Sequence, residues 1–195
     1  MDVHPAPLEV ATVADYVERT FRPVAADKKL DFEIELAEGA PEQITTDEQR
    51  LQQIIRNLLS NAFKFTEQGK VTMLVEPAPD EHVYANEALG HMAGVLAIEV
   101  ADTGIGIPDD KLRLIFEAFQ QADGGTARRY GGTGLGLSIS REIARLLGGE
   151  IQVRSKNSLR SGSAMSRGSI CILPASTLLR SRISLIRLSR SPPEA

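Results

Sequence analysis

Asn57-Leu58-Leu59-Ser60-Asn61-Ala62-Phe63-Lys64-Phe65-Thr66 carries an apolar arc and a polar stripe at once. It closes a helix opened by Asp47 as N-cap, in which Leu51, Ile54, Ile55, Leu58, Leu59 and Ala62 fall on one apolar arc. Asn57, Asn61 and Lys64 stand at i, i+4 and i+7 and form a polar stripe. At about 100° per residue the stripe borders the apolar arc instead of opposing it. A surface stripe normally lies opposite the core. Two carboxamides and an ammonium at a core edge suit a site for phosphate and metal, because Asn offers a hard carbonyl oxygen to Mg²⁺ and Lys a point charge to phosphate. Taken alone, the same stripe also describes an ordinary helix boundary.

Upstream, His4-Pro5-Ala6-Pro7 reads as an extended lead-in, since the prolines preset the backbone and withhold N–H donors. A helix is expected from Thr12 to about Asp27. Asp31 to Leu36 alternates polar and apolar residues, the pattern of a half-buried strand, ended by Gly39 and Pro41. Downstream, Gly69 stops the long helix, and Val71 to Val75 and Val95 to Val100 read as antiparallel neighbours. The polar connection Pro77 to Gly94 reads as an elaborated hairpin loop, with His82 and His91 as solvated residues. Pro108 opens a short helix carrying Leu112, Ile115 and Phe116, and Gln120 to Gly132, rich in glycine and without period, reads as a mobile loop. Leu135 to Leu147 is a second amphipathic helix closed by Gly148-Gly149, and Glu150 to Arg154 an alternating strand. Gly168 to Leu173 can supply a last strand. Ala175 to Ala195, with four Arg against one Glu, reads as a solvated or disordered tail.

With 195 residues, 42% hydrophobic and 25% charged, the composition is that of one ordinary soluble domain and excludes collagen, coiled coil and disorder. The net charge of −4 gives no global basic field, so nucleic acid is not an expected partner. Cys171 is the only cysteine, which rules out an internal disulfide and fits a reducing compartment. No apolar run reaches the roughly 18 residues of a membrane span, and no signal peptide is legible. The expectation is a cytoplasmic domain, or the cytoplasmic piece of a membrane-anchored parent.

Two glycine segments add chemistry to the stripe. Asp102-Thr103-Gly104-Ile105-Gly106-Ile107-Pro108 directly follows a strand, and its glycines permit close approach of a flat or anionic ligand. A carboxylate at the end of a buried strand needs hydrogen-bond donors, and an exocyclic amine such as adenine N6 is a natural one for Asp102. Gly131-Gly132-Thr133-Gly134-Leu135-Gly136-Leu137 turns straight into a helix, so its N–H groups and the positive helix end make an anion site. Arg128 and Arg129 on the preceding loop read either as groups that swing onto a terminal phosphate or as solvated loop charges. Neither a P-loop nor a dinucleotide fingerprint is present.

Residues 57–66, Asp102 to Pro108, Ile115-Phe116-Glu117-Ala118-Phe119 and Gly132 to Leu137 resemble, in order and spacing, the N, G1, F and G2 boxes of the ATP-binding catalytic domain of sensor histidine kinases. The match runs from about Pro7 to Arg154, and Gln120 to Gly132 looks like the ATP lid of hybrid kinases. The resemblance implies the Bergerat fold, a two-layer α/β sandwich with a mixed, mostly antiparallel sheet backed by helices, and implies ATP and Mg²⁺ as ligands. By the same resemblance Asn61 ligates Mg²⁺ with help from Asn57, Lys64 contacts phosphate, Phe65 packs on adenine and Asp102 accepts from adenine N6. Gly104, Gly106 and Ile107 shape the base pocket. Gly132, Thr133, Gly134, Leu135, Gly136 and Leu137 line the phosphates, Arg128 and Arg129 reach the γ-phosphate, and Phe116 and Phe119 anchor the lid. Asn57, Asn61 and Lys64 are the expected catalytic group.

The resemblance further implies transfer of the γ-phosphoryl to a histidine on a separate dimerisation domain, with a response-regulator receiver domain downstream. No His-Glu-x-[Arg/Lys]-[Thr/Ser]-Pro run is present, so residues 1–10 read as a linker from that domain, 11–174 as the catalytic domain and 175–195 as the tail. The family's short glycine turn and final strand after the second helix are replaced by Ser155 to Ser169 and a Ser/Arg-rich end, so the family's last strand is not expected in its usual form. Two other readings stand beside this one. An ATP-hydrolysing relative of the gyrase, heat-shock chaperone and mismatch-repair type would carry a water-activating Glu where Asn57 stands, and a carboxamide is a poor base. A non-catalytic nucleotide-binding regulatory module would keep the same motifs.

Overall fold

Asp47 opens the central helix through its side chain, which accepts the Arg50 N–H at 3.0 Å and starts α2, Glu48–Phe65. The His4 N–H reaches the same carboxylate at 2.9 Å. Burial opposes ionisation of Asp47, but the two backbone donors and the nearby positive charges outweigh it and hold the carboxyl below the ordinary range. The computed structural model describes residues 2–78, 89, 95–108, 111–112, 114–116, 135–154 and 169–174.

The His4 contact belongs to a small hairpin-like sheet in which β1, Ala6–Glu9, pairs antiparallel with β3, Gln43–Thr46. The extended lead-in is therefore a paired strand, and the following helix α1 starts at Val10 and runs to Lys28. That is two residues before the expected Thr12. α1 also accommodates Pro23, and it ends where Lys29 takes a left-handed conformation with φ of 56°.

The main sheet has the order β2-β4-β5-β7-β6. β2, Asp31–Leu36, runs parallel to β4, Lys70–Pro77, and every other pairing is antiparallel. β5 is Val95–Asp102, β6 is Glu150–Val153, and β7, Ser169–Pro174, inserts between them. The last strand that the composition only allowed is thus a central one, with Cys171 registered between Ile98 and Ile151. Between β5 and β6 in sequence lie a 3-10 turn, Leu114–Phe116, and α3, Gly136–Leu146. Of the helix expected after Pro108, the described residues show 3-10 structure at Lys111, whose N–H donates to the Pro108 carbonyl at 2.9 Å, and at Leu114–Phe116.

Alternation in the strands builds the layers. Val71, Met73 and Val75 of β4 and Leu96, Ile98 and Val100 of β5 face a core shared with α1, α2 and α3. Val95 and Ala97 turn to the opposite face, where Leu89 and Ala78 cover them. Phe63 of α2 knits the helical layer to the sheet: its ring stacks on Phe21 of α1 at 5.6 Å and meets Phe32 of β2 edge-on at 5.2 Å. This packing orients α2 so that its polar stripe lies at the rim of the core.

His82, His91, the loop 120–132 and the tail 175–195 lie outside the described residues.

Candidate nucleotide site

Leu51, Ile54, Ile55, Leu58, Leu59 and Ala62 are all buried, as the arc predicts. Asn57, Asn61 and Lys64 are half-buried beside them. The Lys64 ammonium lies 4.9 Å from the centre of the half-buried Phe65 ring.

Asn57 is held from the side of α3. Its Nδ2 donates to Ser140 Oγ at 2.8 Å, and its carboxamide lies so close to Gly136 that a Cβ there would overlap Asn57 Oδ1. Gly136 has an ordinary helical backbone, so here glycine serves close approach and not unusual torsion. Leu135 is the N-cap of α3 without a side-chain cap of its own, and its carbonyl accepts from Ser138 Oγ at 2.9 Å and Ile139 N at 3.0 Å. The first turn of α3 thus faces the polar stripe of α2. Leu137 is half-buried and packs on the main core.

The second half of the site is the turn after β5. Asp102 is half-buried, and burial pushes its carboxyl above the ordinary range. The Gly104 N–H, donating to Asp102 Oδ1 at 2.8 Å, offsets part of that shift. The Thr66 hydroxyl pulls in the same direction without reaching hydrogen-bond geometry: Thr66 Oγ1 is buried and has no hydrogen-bond partner.

The two glycines of this turn serve different ends. Gly104 is wedged between the Phe65 carbonyl and Asp102 Oδ1, where a Cβ would collide with both, whereas Gly106 takes a φ of 69° that a side chain would strain. Ile105 N donates to the Phe65 carbonyl at 3.3 Å, and Thr103 Oγ1 accepts the Lys70 N–H at 3.0 Å. These bonds stitch the turn to the end of α2 and to the start of β4. Ile107 is half-buried in the same turn, and Ile105 is the most exposed large apolar residue there, at 61%.

Phe116 packs on the core, and the Arg141 guanidinium of α3 sits 5.1 Å from its ring centre. Phe119, Arg128, Arg129, Gly132, Thr133 and Gly134 lie outside the described residues. Of the predicted site, the structure therefore brings together Asn57, Asn61, Lys64, Phe65, Asp102, Gly104, Gly106, Ile107, Leu135, Gly136 and Leu137, carried on α2, the turn after β5 and the start of α3.

Residues 46–174 match the family described as histidine kinase-, DNA gyrase B-, and HSP90-like ATPase. The chain belongs to this ATPase family. It is 39% identical over 150 residues to the autoinducer 2 sensor kinase/phosphatase LuxQ of Vibrio parahaemolyticus, covering 77% of this chain and 17% of LuxQ. Full-length ShkA in complex with AMPPNP superposes with a TM-score of 0.65 at 28% identity, over 88% of this chain and 31% of ShkA. The nucleotide-free catalytic domain of the histidine kinase ThkA superposes with a TM-score of 0.64 at 23% identity, over 89% of this chain and 97% of that domain. The sandwich described above is the Bergerat fold of this ATPase family. The chain spans about a sixth of the length of LuxQ.

Three residues of the site were not legible as such. Ser140 sits on the buried face of α3 with Ile143 and Ala144, where a serine amid apolar neighbours was the one available signal. Thr103 and Thr66 lie inside the recognised motifs, but their hydroxyls acquire meaning only once β4, β5 and α2 are packed.

The residues fit an adenine nucleotide. Asp102 carries a second carboxylate oxygen besides the Oδ1 that accepts from Gly104, Thr66 leaves a buried hydroxyl without a partner, and Gly104 lets the turn pass close against Asp102 and the Phe65 carbonyl. The carboxamide oxygens of Asn57 and Asn61 are hard donors of the kind Mg²⁺ takes.

Proposed function

We propose that this chain is the Mg·ATP-binding catalytic domain of a two-component histidine kinase, transferring the γ-phosphoryl of ATP to a histidine on a separate dimerisation domain. The observation that carries this reading is Asn57. The group one turn before Asn61, seated against Gly136, is a carboxamide tied to Ser140 and not a carboxylate, so it has no means of taking a proton from water. That favours a kinase over an ATP-hydrolysing relative.

The roles are those the family resemblance implies. Asp102 and the Gly104 and Gly106 turn take the adenine, with Phe65 packing on it. Lys64 and the start of α3 bind phosphate oxygens; Arg128 and Arg129, which lie outside the described residues, are assigned to the γ-phosphate by the resemblance alone. Mg²⁺, held by Asn61 and Asn57, would neutralise phosphate charge. The acceptor imidazole is itself the nucleophile: its nitrogen bonds to the γ-phosphorus as the bond to the ADP oxygen breaks. The protein supplies position and charge, which is most of what phosphoryl transfer asks.

In this reading the catalytic unit, expected from the sequence at 11–174, takes in β1 as well, because Leu8 and Val10 belong to its core; it lies on the cytoplasmic side, with 175–195 as the tail and the residues before β1 leading in from the dimerisation domain. A receiver domain takes the phosphoryl downstream, and nucleic acid plays no part. The lead-in joins the fold at β1 and at the His4 contact with Asp47, the N-cap of the helix that bears the stripe.

The test is incubation with Mg²⁺ and γ-labelled ATP, alone and with a panel of histidine-bearing dimerisation domains. The expected result is acid-labile, base-stable phosphate on an added domain and none on the chain alone. Labelling of the isolated chain, or release of inorganic phosphate with no transfer to any domain, would overturn the reading.

A further inference from the structure

Ser140 is a costly residue where it stands. It is 1% exposed on a helix face shared with Ile143 and Ala144, both buried against the core. Alanine would suit both that face and the helix better, because it has no polar atom to satisfy and a higher helix propensity. The hydroxyl has a definite partner, however. Asn57 lies 83 residues earlier in the chain, and its Nδ2 donates to Ser140 Oγ at 2.8 Å. One helical turn before Ser140, Gly136 presents bare backbone to the same carboxamide, close enough that any side chain would displace it. The Asn57 side chain is thus laid along one turn of α3, with Gly136 against its oxygen and Ser140 at its nitrogen.

We propose that Ser140 is a positioning residue of the nucleotide site, holding the Asn57 carboxamide against Gly136 so that the polar stripe of α2 and the first turn of α3 present one rigid surface to the phosphates and their metal. The inference rests on the reading of Asn57 as a phosphate and metal residue. It adds that Asn57 acts only when fixed from the other helix. A half-buried carboxamide without that bond rotates about its terminal torsion, which is broad, and its oxygen is then averaged over several directions. Ser140 touches no nucleotide in this arrangement, so its effect must pass through Asn57.

A double-mutant cycle on the 195-residue chain tests this, with titrations of ATP plus Mg²⁺ and of adenosine alone, and thermal melts alongside. Ser140→Ala is expected to weaken Mg·ATP about tenfold and leave adenosine unchanged, since the base is held at Asp102. In the Asn57→Ala background Ser140→Ala should add nothing. Ser140→Thr keeps the hydroxyl and should restore Mg·ATP affinity to within about twofold. Ser140→Cys offers a weaker acceptor and should fall between Ser140→Ala and wild type, which keeps the test readable if Ser140→Ala does not fold. Equal losses for Mg·ATP and adenosine, or the same factor lost with and without Asn57, would reduce Ser140 to a packing residue and overturn the proposal. Unchanged Mg·ATP affinity in Asn57→Ala would instead overturn the role of Asn57 itself, and the positioning role with it.

Discussion

Gly136→Ala is expected to cost about a hundredfold in Mg·ATP affinity while leaving the thermal midpoint near that of the parent. The added Cβ would overlap the Asn57 carboxamide, so either that side chain leaves its seat beside Ser140 or α3 backs away from α2. Overpacking costs about 1–3 kcal/mol, but the atoms met are the movable end of the Asn57 side chain, which puts the cost at the low end of that range, and Gly to Ala at the helix start returns part of it. The net change in stability is small. The change in binding is not, because both ways of relieving the overlap separate the stripe on α2 from the phosphate-facing turn of α3. Calorimetric titration and a melt on the same samples check this, and wild-type affinity in the variant would show that Asn57 and the first turn of α3 need not meet.

Asp102→Asn should weaken ATP by about 10–100-fold, the worth of a charge-assisted hydrogen bond of about 1.5–3 kcal/mol. It should also narrow the preference for ATP over GTP, since guanine presents a carbonyl oxygen where adenine presents N6–H, and an amide can donate to it. The same substitution should make the nucleotide-free protein more stable at neutral pH. Burial raises the Asp102 carboxyl above its ordinary value, so ionisation is easier in the unfolded chain than in the folded one. The resulting penalty is absent below the unfolded value, grows as pH rises towards the raised folded value and is fully present above it. The neutral amide escapes it. Melts of variant and parent should therefore converge in acid and separate at neutral pH, and ATP affinity of the parent should fall as pH drops through the raised value. Comparable ATP and GTP affinities in the parent would remove Asp102 from the base site.

Local pattern carried much of the fold into view. The arc of α2, the Asp47 cap, the alternation of β2 and the antiparallel pairing of β4 with β5 depend on spacing within one or two elements, and each is present. β1 and β3 were missed because four residues give too few alternations, and Pro5, Pro7 and Pro41 mask them further. The insertion of β7 between β5 and β6 was beyond local reading, since it joins segments some 70 residues apart by backbone bonds alone. The site divides in the same way. Asn57, Asn61, Lys64 and Asp102 were legible because their chemistry sits at odds with a core edge. Ser140 and Thr66 were not, because a serine on a helix and a threonine at a helix end are unremarkable until Asn57 and Asp102 are packed against them.

Amide hydrogen exchange with and without saturating Mg·ATP reads all three walls of the nucleotide site at once. Slowed exchange is expected in three stretches that are far apart in sequence, 57–66, 102–107 and 136–140, with smaller changes for GTP at equal concentration. Protection confined to other parts of the chain, or exchange in these three stretches indifferent to ATP, would contradict this placement of the site.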